Sequence, residues 1–316
     1  MSETAPRTAV VALGGNALSP PGERCTIADQ FKHTRESLAP IVDLARDGWR
    51  MALVHGNGPQ VGDELVRNEI ARAVVDPLPL GILVAATAGW IGYMIQQSLE
   101  NALRKTRVER GVTTIITQVR VDPKDPALLA PSKFIGHEIP EERAKALVAE
   151  GQAIKEDSNG MYRRVVGSPR PLAIYDLEII RPLVEAGTIV IACGSGGVPV
   201  YTDPVTGLEG IDAIIDKDAV AAVLARELKA ELLVILTNVD AVYADWGTPS
   251  KRALSHLTVA EARELDARGA FGEGSMAPKV RAAVDFVEAT GGRAVIAELS
   301  QRMDAVHARA GTTIAN

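Results

Sequence analysis

The stretches Val10-Val11-Ala12-Leu13-Gly14-Gly15-Asn16 and Met51-Ala52-Leu53-Val54-His55-Gly56-Asn57-Gly58-Pro59 decide how this chain reads. Each is a short apolar run that stops in glycines and then enters a helical pattern. A strand that ends in this way leaves backbone N–H groups with no Cβ in front of them, and such groups bind anions. Two of these bends near one another predict a site for a transferable phosphate.

Outward from these bends the chain alternates strand and helix. The first half reads as a strand at Ala9–Leu13, a helix over 28–47, a strand at Met51–His55, helices over 59–72 and 88–105, and a strand at Thr113–Gln118. Thr26 with Asp29 forms a capping pair, and Gly48 stops the first helix. The second half repeats the theme: a strand at Thr188–Cys193, a helix over 217–229, a strand at Leu232–Thr237, helices over 259–268 and 278–289, and a strand at Arg293–Ala297. Thr258 and Glu261 cap the helix over 259–268. This βαβ order predicts an α/β fold, a parallel sheet with helices on its faces. The stretch 119–167 breaks the rhythm, with Asp122-Pro123, Asp125-Pro126 and Pro131, a charged helix after Pro140, and Asp157-Ser158-Asn159-Gly160 as a hairpin turn. It reads as a small projecting arm, either a lid or a passive insertion or dimer contact.

The composition narrows the function classes. With 316 residues, 47% of them hydrophobic, the chain can bury a substantial core. A net charge of -6 and scattered Lys and Arg leave no basic field for nucleic acid, so any anion must be held locally. Cys25 and Cys193 are too few for a disulfide framework, and Met1-Ser2-Glu3-Thr4 lacks the regions of a signal peptide, which points to the cytoplasm. Leu78 to Ile95 carries no formal charge and has the length of a membrane span, but Pro79, Gly81, Gly89 and Gly92 interrupt it. It reads as a buried helix with its approach loop, or as an oligomer face.

The chain has no Gly-Lys-Ser/Thr of a P-loop and no protein-kinase signature. Gly194-Ser195-Gly196 is not a nucleophile elbow, because Cys193 stands where that motif needs glycine. The histidines have no metal-ligand spacing, and His55, at a strand end, reads as a structural hydrogen-bonding residue. What remains is lysine and aspartate on turns. Asp216-Lys217-Asp218 sets a lysine at a helix start, a disfavoured place for a cation unless it meets an anion, while Asp216 caps. Lys279 follows Pro278 at the start of another helix. Phosphoryl transfer needs positive charge on the migrating group and little covalent work, so two lysines fixed by an aspartate suffice. Tyr243, after the strand that ends at Thr237, stands either beside a purine or as filler.

Over nearly its full length the chain resembles the carbamate kinases, of the amino acid kinase fold. The resemblance rests on Ala12-Leu13-Gly14-Gly15-Asn16-Ala17, Val54-His55-Gly56-Asn57-Gly58-Pro59-Gln60-Val61-Gly62, Gly92-Tyr93-Met94-Ile95-Gln96-Gln97, Arg163-Arg164-Val165-Val166, Asp216-Lys217-Asp218 and Gly274-Ser275-Met276-Ala277-Pro278-Lys279. Ala12 stands where acetylglutamate and uridylate kinases carry a lysine, and Lys217 would supply that charge. The resemblance implies an open three-layer α/β/α sandwich with a mainly parallel central sheet and a small protruding subdomain. It also implies a single domain with an N-terminal carbamate-binding lobe over 1–215, the arm inserted at 119–167, and a nucleotide-binding lobe over 216–316.

The implied reaction is reversible phosphoryl exchange between ATP and carbamate, giving ADP and carbamoyl phosphate, with Mg²⁺ on the nucleotide phosphates and net flow toward ATP. By position, Gly14, Gly15, Asn16, Gly56, Asn57, Gly58 and Ser195 would hold the carbamoyl phosphate end. Lys217 and Lys279 would bracket the migrating group, Asp218 would orient them, and Lys133 would reach in from the arm. Asp240, Tyr243, Met276 and Pro278 would line the nucleotide pocket. The family also implies a homodimer, with neither nucleic acid nor membrane as partner. Phe134, His137-Glu138-Ile139, Gly167, Ser195, Asn238 and Phe271-Gly272-Glu273 depart from the family pattern. Because several of these fall in the arm and in the loop after Cys193, the parts expected to touch the small substrate, a kinase of another small carboxylate or carbamate, or a non-catalytic nucleotide-binding protein, stands as the alternative.

Overall fold

The computed structural model describes residues 7–15, 18–20, 25–157, 160–271 and 276–316, with Arg302 described in its backbone only. Asn16, Ala17, Ser158, Asn159, Gly272, Glu273, Gly274 and Ser275 therefore lie outside the described residues.

The apolar run Thr8–Leu13 lies near the middle of an eight-stranded sheet. On one side it pairs in parallel with Leu232–Thr237, on the other with Arg50–His55. Beyond Leu232–Thr237 come Arg293–Glu298, Thr312–Ala315 and His256–Thr258; beyond Arg50–His55 come Ile189–Ile191 and Val112–Thr114. Among the described residues of this sheet, only the pairing of Arg293–Glu298 with Thr312–Ala315 is antiparallel. Parallel strands need covered faces, and the side chains divide accordingly. Val10, Ala12, Ala52 and Val54 pack on one face with Val220, Ala221 and Leu224 of the helix Lys217–Glu227 and with Val280 and Val284 of the helix Met276–Thr290. Ala9, Val11 and Leu13 pack on the other with Ile41, Val42 and Leu44 of the helix Ala39–Arg46 and with Ile91, Ile95 and Leu99 of the helix Leu80–Lys105. The result is three layers, α/β/α, as expected.

Three local expectations need correction. The helix expected over 28–47 is two, Ile27–Ser37 and Ala39–Arg46, broken at Leu38. Pro40 explains the break: it has no N–H to donate into the preceding turn, and its ring is tolerated only at a helix start. The approach loop expected before residue 88 is itself helical, since that helix starts at Leu80 behind Pro79 and runs for 26 residues. The strand expected over Thr113–Gln118 is two pieces, and Gln118–Arg120 joins a separate sheet beside Val198–Asp203. Both capping boxes, at Thr26 and Thr258, form. No described helix is long and apolar enough to cross a membrane.

The arm carries the antiparallel strands Lys133–Ile139, Tyr162–Val166 and Ile154–Glu156 and the helix Glu141–Ala149. It lies against the helix Gly58–Ala71 that follows the second glycine bend. The approach is backbone to backbone, for a Cβ on Gly62 would collide with the main chain of Gly136, which itself sits at φ +67°. Ile135 is fully buried beside Val61, Leu83 and Ile214. Glu69 takes Arg164 at 2.6 Å and Gln152 at 2.9 Å. Arg164 holds the Glu69 carboxyl below its ordinary range, against the opposing pull of partial burial. One family departure serves this docking, His137, which faces Asp63 of that helix at 3.3 Å; another, Phe134, lies under the Arg163 guanidinium at 5.7 Å within the arm's own sheet.

Replacing Gly62 with Ala forces the two backbones apart. The expected cost is about 1–3 kcal/mol of stability in urea denaturation, with faster proteolytic cutting inside 126–166. Unchanged stability and cutting contradict the close dock.

Candidate active site

In a parallel sheet the strand ends at one edge converge, and ligands bind there. Gly14 leaves Thr8–Leu13 beside the end of Leu232–Thr237, with the Leu236 carbonyl 3.6 Å from where its Cβ would be. Gly56 leaves Arg50–His55 alongside, its N–H donating to the Leu13 carbonyl at 3.0 Å. A Cβ on Gly56 would meet Lys217 Cδ at 3.1 Å and the Gly15 amide at 3.2 Å; one on Gly14 would meet Lys217 Cε at 4.0 Å. The missing side chains thus make room for the Lys217 stem, which lies across both bends. Gly15 and Gly58 close the same junction, with the Gly58 amide 3.5 Å from the Cβ position of Gly15.

Asp216 holds the start of the helix Lys217–Glu227: its Oδ1 accepts from the Asp218 amide at 2.9 Å and the Ala219 amide at 3.2 Å. Its other oxygen, Oδ2, takes Lys133 Nζ of the arm at 2.6 Å. Asp218, whose side chain is only 3% exposed, bonds Lys217 Nζ through Oδ1 and Lys279 Nζ through Oδ2, the latter at 3.2 Å. Burial works against the charge of both aspartates, but the neighbouring lysines override it and hold both carboxyls below their ordinary range. Lys217 is pulled down by burial and by the like charge of Lys279, which its carboxylate neighbours only partly offset; for Lys279 burial is overcome by Asp218 and Asp216, and its affinity for the proton rises. Among the described residues, three ammonium groups gather on two carboxylates at the mouth of the glycine bends.

Residues 7–298 match the Amino acid kinase family. A carbamate kinase of Pyrococcus horikoshii is 41% identical over 312 residues, 98% of this chain and 99% of that protein. A carbamate kinase of Escherichia coli K12 is 44% identical over 309 residues, again 98% and 99%. The structure of carbamate kinase from Giardia lamblia bound to AMP-PNP superposes with a TM-score of 0.89 at 36% identity, covering 98% of this chain and 99% of the other. The chain belongs to the carbamate kinases of the amino acid kinase family.

The other residues expected in a carbamate kinase site fall into two groups. Met276 and Pro278 stand in the first turn of the helix that carries Lys279. Asp240 and Tyr243 form their own pair beyond the end of Leu232–Thr237, with the Tyr243 hydroxyl donating to Asp240 Oδ1 at 2.9 Å. No described hydrogen bond, ion pair or ring contact joins that pair to Lys133, Lys217 or Lys279. Ser195 is buried after Ile189–Ile191, at φ +63°, a left-handed conformation that costs a side-chain-bearing residue roughly 1–2 kcal/mol.

Two features escaped the sequence reading. Asp216, read only as a cap, is also the arm lysine's partner; the Asp-Lys-Asp pattern was the available signal. Trp246 packs edge-on to Tyr243 at 5.3 Å between ring centres, and Lys251 Nζ lies 3.7 Å from the Trp246 ring centre and 4.4 Å from that of Tyr243. Such loop contacts have no period for a sequence to display. His55 is structural, as read: fully buried, it donates from Nδ1 to the Gly56 carbonyl at 3.1 Å.

Replacing Asp218 with Asn leaves two buried ammonium groups without their shared counter-charge, so urea denaturation at pH 7 is expected to show a loss of about 3–5 kcal/mol. A loss below about 1 kcal/mol contradicts the bridging role. Burial pulls the His55 imidazole down to about 4, against the bond to Gly56. Below pH 6.5 the unfolded chain therefore binds a proton that the folded chain refuses, and stability falls as pH falls. The expected slope between pH 6 and 5 is about 1 kcal/mol per unit, and it flattens in His55→Gln.

Proposed function

We infer that the chain is an ATP-dependent carbamate kinase, exchanging a phosphoryl group between ATP and carbamate to give ADP and carbamoyl phosphate. The observation that carries the chemistry is Asp218 bonded at once to Lys217 and Lys279, with the Lys217 stem laid across Gly14 and Gly56. The transferring group is a dispersed anion that makes little covalent demand on the protein, so fixed positive charge is what it requires. In our reading the Gly14–Gly15 and Gly56–Gly58 amides, with Asn16, Asn57 and Ser195, take the carbamoyl phosphate end. Lys217 and Lys279 flank the migrating phosphoryl group, Asp218 aims them, and Lys133 adds a third charge from the arm. The bond from phosphorus to the carboxyl oxygen breaks as the bond to the terminal ADP oxygen forms. Because the ammonium groups are already held by carboxylates, no reorganisation is needed as charge shifts.

The nucleotide is placed beside Asp240, Tyr243, Met276 and Pro278, at the strand ends of the 216–316 lobe, and carbamate in the 1–215 lobe under the 119–167 arm. Mg²⁺ fits this site as a partner of the nucleotide phosphates: Asp216 and Asp218 are committed to lysines, and Mg²⁺ commonly relies on substrate oxygens and water. There it would neutralise phosphate charge. Net flow toward ATP follows from the mixed-anhydride character of carbamoyl phosphate. Exposed Ile70, Val74, Val75, Leu78 and Ile82, around the link between the helices Gly58–Ala71 and Leu80–Lys105, support a homodimer face. The free thiols of Cys25 and Cys193 support the cytoplasm as the compartment.

Carbamoyl phosphate and Mg·ADP are expected to yield ATP in a coupled assay, and Lys217→Ala is expected to lower kcat at least about tenfold. A fully active Lys217→Ala variant removes that lysine from the mechanism.

A further inference from the structure

Thr87, in the helix Leu80–Lys105, is fully buried between two of the bends that receive substrate. Its Oγ1 lies 2.8 Å from the Leu83 carbonyl and 2.9 Å from that of Val84. Carbonyls only accept, so the single Thr87 proton goes to them, a common use of a mid-helix threonine. Two further groups reach the same oxygen, Asn57 Nδ2 at 2.9 Å and Ser195 Oγ at 3.2 Å. With its proton already spent, Thr87 can only accept from both. With the Thr87 proton on these carbonyls, Ser195 is the donor in the pair of hydroxyls.

The consequence falls on Asn57 and Ser195. Asn57 stands at the N-cap of the helix Gly58–Ala71, where an asparagine ordinarily bonds the first-turn amides, yet it makes no side-chain cap bond. Its amide nitrogen is turned to Thr87 instead, and Oδ1 accepts from no described residue. Ser195, donating to Thr87, keeps its oxygen lone pairs as acceptors. These residues follow the neighbouring strands Arg50–His55 and Ile189–Ile191, so the acceptors lie together at the sheet edge.

We propose that Thr87 is a positioning residue that presents Asn57 Oδ1 and Ser195 Oγ as acceptors for the amino group of carbamate, and so selects carbamoyl phosphate over the nearly isosteric acetyl phosphate. This rests on the carbamate kinase reading. An amino group donates two N–H bonds to such a wall. A methyl group of the same shape leaves buried acceptors unpaired, the kind of mismatch that polar sites reject strongly.

The test measures kcat/KM for ATP formation from Mg·ADP with carbamoyl phosphate and, separately, with acetyl phosphate, each donating its phosphoryl group to ADP. Wild type is expected to prefer carbamoyl phosphate at least about 100-fold. In Thr87→Val the ratio is expected to fall at least about tenfold, through a raised KM for carbamoyl phosphate, and to recover in Thr87→Ser. Ser195→Ala, which disturbs one acceptor alone, is expected to lower it about threefold and reads the same property should Thr87→Val fail to fold. Equal losses with both donors, or an unchanged ratio, overturn the proposal while leaving the kinase reading intact. No ATP from carbamoyl phosphate in wild type overturns both.

Discussion

One buried carboxylate holding two ammonium groups is the constraint on which the site depends. Lys217 and Lys279 come from different helices on the same face of the sheet, and left alone they would repel across a site with little water to screen them. Asp218 makes their approach tolerable, and Asp216 repeats the device for Lys133 of the arm. The arrangement is poised: burial presses against the charges of Asp216, Lys217, Asp218 and Lys279, and each persists because an opposite charge lies within bonding distance.

The sheet explains why these groups share one place. Neighbouring parallel strands deliver Gly14, Gly56, Ser195 and Asp240 to the same edge, and the helix that begins at Lys217 points its N-terminus there. Helix N-termini favour anions, so Asp216 and Asp218 sit comfortably while Lys217 stays only through its partners. Glycine at 14 and 56 leaves space for the lysine stem. The arm reaches the same edge because Gly62 and Gly136 let it settle backbone to backbone on the helix Gly58–Ala71.

Three departures from the family pattern, His137, Phe134 and Ser195, take on meaning from their neighbours. His137 serves the docking of the arm through Asp63, whereas Phe134 packs with Arg163 inside the arm. Ser195 is different: its hydroxyl joins Asn57 through Thr87, beside the bends. A departure in sequence says that a residue differs, while its neighbours decide whether the difference touches substrate.

The glycine-ended apolar runs, the Asp-Lys-Asp pattern and the capping boxes were legible as letters because their physics is local. A strand that stops in glycine exposes amides wherever it lies, and Thr258 caps with Glu261 three positions on. From these the layered α/β fold, the convergence of the glycine bends at one sheet edge and the pair of lysines all follow. Helix boundaries near Pro40 and Pro79 were less legible, since one proline broke a helix while the other began one. The pairing of Asp216 with Lys133, the use of Asn57 on Thr87 instead of on its own helix, and the Tyr243–Trp246–Lys251 cluster belonged to tertiary structure alone. Each joins residues by distance rather than by spacing or repeat, and only the packing of helices and arm on the sheet brings those partners within reach.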